Sequence, residues 1–272
     1  MTPVNPSLTP RLKHGHSMTP SSSRNLASRT TRRFLAHLVA IPLLALGCSA
    51  PPRNAIPREL VQQATIPGMH DVRYWGDEED HRLEEAFALS LRREADALGV
   101  RSLDQLPPAH FLALSGGGSN GAFGAGLLCG WSMRGDRPTF KIVTGVSTGA
   151  LIAPFAFLGQ EYDHVLKEVY TTVSTADVAK MRGVLGGLLS DGMADNTPLR
   201  HLVERFVTQE VMEKVGEASR EGRVLIIATT HMDAQRPVIW IMGRIDRRGH
   251  PDAPPLLQDL LIASAAVPAW SP

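Results

Sequence analysis

Residues 143–154 read VTGVSTGALIAP, an apolar run that carries one serine between two glycines. Its first half suits the end of a strand and its second half the start of a helix, so the turn between them falls on Ser147. A turn that tight drives neighbouring Cβ atoms together, and Gly145 and Gly149, two before and two after the serine, remove them. The hydroxyl is then held clear of the sheet. The free N–H groups of the helix's first turn place a partial positive potential beside it. This is the logic of a nucleophile elbow, and it makes Ser147 a candidate nucleophile. The same spacing also fits a solvent-facing turn, so the flanking sequence has to decide.

Thirty residues earlier, FLALSGGGSNGAFGAGLLCGW repeats the order of strand, sharp turn and helix of small residues. Two such units in succession predict an α/β fold with parallel strands. Gly116, Gly118 and Gly121 have G-x-G-x-x-G spacing, but a dinucleotide site also needs an acid at the end of the second strand, and Asp136 precedes that strand. No Lys-Ser or Lys-Thr follows, so the loop is not a P-loop either. Two readings remain: a structural tight turn, or an oxyanion hole in which the backbone N–H groups of Gly117 and Gly118 face Ser147. Further on, EYDHVLKEVYTTV and TPLRHLVERFVTQEVMEKVGEAS read as helices, GRVLIIATTHMD and RPVIWIMGRI as strands, and PPLLQDLLIASAAVPAWSP as a helix ending near Pro268. The histidines and acids form no metal-ligand pattern, and no cofactor is expected.

At 272 residues and 43% hydrophobic content the chain can bury a real core. Its formal charge of +1 hides an asymmetry, because Arg11, Lys13, Arg24, Arg29, Arg32 and Arg33 precede residue 48 without a single acid. The rest is net acidic, which argues against a nucleic-acid partner. Arg32 and Arg33 lead into an apolar stretch from Phe34 to Leu46 that is too short for a routine membrane span and reads as a secretory signal over 1–47. A start at Met18 would shorten its basic leader to ordinary length. LALGC resembles the lipobox of bacterial lipoproteins, with Ala45 where leucine is preferred. That resemblance implies a lipidated Cys48 and a membrane-anchored place in the cell envelope; periplasmic or secreted export is the alternative. Residues 48–105 read as a tether followed by an amphipathic helix, with Leu83, Phe87, Leu91 and Leu98 at helical spacing, and 106–272 as the main domain. Cys129 is expected as a small buried hydrophobe.

From the residues alone, the base that would activate Ser147 stays open among His201, His231, His250, Asp233, Asp246 and Asp259. Together, however, LALSGGGSNGAFGAGLLCG, GVSTG, LIIATTHMDAQRPVIWIMG and LIASAAVPAWSP resemble, in order, the segments of the patatin-like phospholipase family over residues 109–272. The resemblance implies a three-layer fold with a central, mainly parallel sheet, a lipid acyl ester as substrate, and a Ser-Asp dyad in which Ser147 is the nucleophile. Asn120 departs from it, since the family commonly carries Arg or Lys there. The family's aspartate sits in an Asp-Gly-Gly or Asp-Gly-Ala motif after the ASAAVPAWSP segment, so it is expected beyond Pro272 and the sequence reads as truncated. Asp191-Gly192 is the in-chain candidate, with methionine in the third position. An acyltransferase of the same fold and a non-catalytic, membrane-tethered binding lipoprotein are the competing expectations.

Overall fold

A computed structural model describes residues 56–172, 180–181, 194–245 and 253–266. Five strands form one sheet: β1 (Arg73–Trp75), β2 (Phe111–Leu114), β3 (Ile142–Val146), β6 (Val224–His231) and β7 (Arg236–Ile241), in the order β1-β7-β6-β3-β2. A separate two-residue pair joins β4 (Lys180–Met181) to β5 (Ala194–Asp195). In the main sheet β2, β3 and β6 run parallel, whereas β7 is antiparallel to β6 and β1 antiparallel to β7. The fold is therefore α/β around a mixed sheet. The β6–β7 pair is antiparallel because a connection as short as that between His231 and Arg236 can only reverse the chain.

Strand alternation sorts the sheet residues into two layers. Leu225 and Ile227 of β6 join the large core, while Val224 and Ile226 face a smaller cluster with Tyr74 and Ile241. The smaller cluster is covered by α1 (His81–Leu98), whose Leu83, Ala86 and Phe87 pack there. Leu91 and Leu98 instead stay 38% and 53% exposed. At 3.6 residues per turn the stripe runs through Ala86 and Ser90, and the Ser90 hydroxyl enters the interior because it donates to the Gly222 carbonyl. Arg73–Trp75, within the stretch read as tether, forms the β1 edge, with Tyr74 buried; three residues are too few to show a period.

On the other face lie α2 (Gly121–Arg134), α3 (Thr148–Leu158), α4 (Asp163–Thr172), α5 (Thr197–Phe206), α6 (Gln209–Arg220) and α7 (Ala253–Ala265). Nine of the eleven α3 residues are buried, which makes it the central core helix and explains why its sequence is apolar on every side. The stretch 197–219, read as one helix, is two: Thr208 caps α6 by accepting from the Val211 N–H, and the chain bends at Val207. Cys129 is buried, as expected, and burial pushes its thiol pKa up.

Candidate active site

In the parallel register Leu114 lies opposite Gly145, so the turns that leave β2 and β3 emerge side by side at one sheet edge. After β2 the chain passes through Ser115, Gly116 and Gly117, makes a single tight turn at Gly118–Asn120 and enters α2. After β3 there is no loop. Val146 ends the strand, Thr148 begins α3, and Ser147 alone turns the chain at φ 55° and ψ −126°. A non-glycine residue held there stores about 1–3 kcal/mol of strain, which the surrounding packing has to sustain. The flanking glycines show how. A Cβ on Gly145 would lie 2.5 Å from the Gly149 carbonyl oxygen, and one on Gly149 would lie 2.3 Å from the Leu114 carbonyl oxygen. α3 therefore presses directly on the backbone of β2 and β3.

The two turns meet at Ser147. A Cβ on Gly116 would stand 3.0 Å from the serine Cβ and 3.6 Å from its Oγ. The loop from Gly116 to Asn120 is exposed, and among the described residues no acceptor takes the N–H of Gly117 or Gly118. The Asn120 N–H donates to the Gly117 carbonyl at 3.1 Å, so this loop is closed through its backbone at the position where the sequence departs from the expected Arg or Lys. Beneath it, the Thr148 and Tyr170 hydroxyls are hydrogen-bonded at 2.7 Å, and a Cβ on Gly121 would collide with the Thr148 hydroxyl. Burial pushes the Tyr170 pKa up, with the Thr148 hydrogen bond opposing it.

Residues 112–272 match the family described as "Patatin-like phospholipase". The chain belongs to the patatin-like phospholipase family. No curated protein matches it. Family membership supports lipid-hydrolase-type chemistry and a lipid-type substrate.

The patatin-like chain offers several candidate bases for a serine nucleophile. Among the described residues nothing hydrogen-bonds the Ser147 hydroxyl. Asp259 on α7 is exposed and paired with Arg200 at 2.7 Å, and His201 on α5 is exposed. His231, at the end of β6, uses Nδ1 to accept from the Ala234 N–H at 3.1 Å and packs 5.8 Å from Trp75, so it closes the β6–β7 turn. Asp233, in the same turn, also has an interaction partner. Asp191, Asp246, His250 and Cys48 lie outside the described residues.

The described residues hold no helix long and apolar enough to cross a membrane, and no group of three or more His, Cys, Asp and Glu residues suited to a metal ion. A small cavity lined by Phe87, Ser90, Arg93, Arg223 and Arg244 touches none of the site residues.

One participant was missed in the sequence. The Ser264 hydroxyl on α7 accepts from the Ser147 N–H at 2.9 Å and donates to the Ala228 carbonyl at 2.6 Å. In the sequence its segment, LIASAAVP, was legible as part of the family resemblance, but a serine in a small-residue run is also what close helix packing uses, so nothing singled out Ser264.

Proposed function

We propose that this chain is a serine acyl hydrolase acting on lipid esters, with Ser147 as nucleophile. One observation carries the reading: Ser147 alone turns β3 into α3 at φ 55°, directly against the glycine loop that follows β2. A serine on so tight a turn, flanked by glycines, supports that reading because its hydroxyl is kept clear of the flanking Cβ atoms, as attack on an ester carbonyl requires.

In the reaction, Ser147 Oγ attacks the carbonyl carbon as its proton passes to an aspartate. The carbonyl π electrons move to oxygen, and the N–H groups of Gly117 and Gly118, together with the α3 N-terminus, stabilise that oxyanion. Collapse expels the alcohol, which takes the proton from the aspartic acid. Water then attacks the acyl-serine carbonyl and gives its proton to the aspartate; the acyl–Oγ bond breaks, the aspartic acid returns the proton to Ser147 Oγ, and the fatty acid leaves. Asp191 is the in-chain candidate for that aspartate. Cys48, if lipidated, holds the enzyme at the membrane that contains its substrate; mass spectrometry of the mature N-terminus checks this, and an unmodified terminus excludes it.

The test of the nucleophile is intact mass after exposure of the folded protein to a serine-reactive fluorophosphonate. A single adduct that S147A loses is the expected result. Folded protein that forms no adduct and shows no Ser147-dependent ester turnover would remove Ser147 from the chemistry.

A further inference from the structure

The parallel ladder between β3 and β6 has a fixed parity. The Val224 N–H donates to the Lys141 carbonyl at 2.9 Å, and parallel bonding alternates along each strand. With Val146 opposite Ala228, the rung at the end of β3 pairs the Ala228 carbonyl with the N–H of Ser147. The Ser264 hydroxyl occupies that rung. It accepts from the Ser147 N–H at 2.9 Å and donates to the Ala228 carbonyl at 2.6 Å, so both of its main hydrogen-bonding directions are used.

We propose that Ser264 is a positioning residue for Ser147, its hydroxyl fixing the serine backbone where β3 gives way to α3; this rests on the reading of Ser147 as nucleophile. The Ser147 N–H belongs to the peptide plane that ends β3, so anchoring it fixes that plane immediately before the chain turns at φ 55°. A bridging hydroxyl satisfies both backbone groups at that junction. Ser264 is 9% exposed, so water has little access to replace it. The bridge also joins three elements, because α7 supplies the hydroxyl, β6 the acceptor and the β3–α3 junction the donor. Ser264 touches no reacting atom. Its effect is on where Ser147 Oγ points, and misplacement of a reacting group on the scale of 1 Å costs about 100-fold in rate.

The experiment compares full-chain wild type, S264A, S264T and S264V by amide hydrogen exchange over residues 143–151, thermal midpoint, and separate kcat and KM on p-nitrophenyl butyrate. Thr and Val share a shape and differ in the hydroxyl, so that pair decides the matter even where S264A folds poorly. The expected result is exchange at the Ser147 amide about 10-fold faster in S264A and S264V than in wild type and S264T. It comes with kcat about 10- to 100-fold lower, KM within about 2-fold, and rescue by S264T. Equal exchange at Ser147 in S264T and S264V would overturn the proposal, as would equal kcat in the two. Wild type without Ser147-dependent turnover would instead refute the nucleophile reading, while the exchange comparison still decides whether Ser264 holds this backbone.

Discussion

Replacing Gly149 with alanine tests whether α3 is pressed onto the sheet as described. Gly149 is the second residue of α3, where alanine for glycine in a helix ordinarily gains about 1 kcal/mol. Here the new Cβ would lie 2.3 Å from the Leu114 carbonyl oxygen, 2.6 Å from its carbon and 2.8 Å from the Ser115 oxygen. All three are backbone atoms of β2 and the glycine loop, so no rotamer change relieves the contact. Overpacking costs about 1–3 kcal/mol, and the upper end applies when nothing flexible can yield. Set against the helix gain, the net loss is about 2 kcal/mol or more, or about 4–8 °C in Tm for a domain of this size. Gly126, on the exposed side of α2 with nothing within 4 Å of a Cβ, is the control. G126A should raise Tm by about 2–4 °C through propensity alone. The assay is thermal unfolding of both variants beside wild type. A G149A midpoint at or above that of wild type would refute the close approach of α3 to β2, and with it the geometry assigned to the elbow.

Ser147→Gly should abolish ester turnover yet leave Tm unchanged or higher, because glycine occupies φ 55° without the side-chain strain; a clear loss of stability would show that Ser147 is not strained. The Arg137 guanidinium, 3% exposed, donates to Asp163 Oδ1 at 2.7 Å and to the Ala156 carbonyl at 3.0 Å. R137A should cost about 3–5 kcal/mol in urea unfolding by stranding the carboxylate, and the double variant R137M/D163L should recover much of that loss; a near-neutral R137A would contradict it. Burial raises the pKa values of Tyr74 and Tyr170, so the unfolded chain ionises first. Their contribution to stability is intact below about pH 10 and is lost as pH rises through the folded-state values, and denaturation midpoints measured from pH 8 to 11 should fall less steeply in Y170F than in wild type.

The local units were legible in consecutive residues. Glycine and serine spacing in GVSTG, the glycine run after FLAL, and unbroken apolarity through ALIAPFAFL each demand a particular backbone within a few residues, and strand, turn and helix appear at those places. Family membership was also legible there, because its segments are short, ordered and local. What depended on distant partners was not. The three residues of β1 have no period of their own and are held by pairing with β7, more than 160 residues later. Leu91 and Leu98 carry the hydrophobicity of a buried stripe, but the sheet meets α1 through Ala86 and Ser90, since the contact face is set by where Gly222 and Tyr74 sit. Ser264 was unreadable for the same reason. A serine among alanines says nothing of its own, and it enters the site only because α7 packs across the end of β3, where the parity of a parallel ladder leaves one N–H and one carbonyl for a hydroxyl to join. Local steric limits are written in consecutive residues; the closure of a hydrogen-bond rung 117 residues apart exists only once the chain has packed.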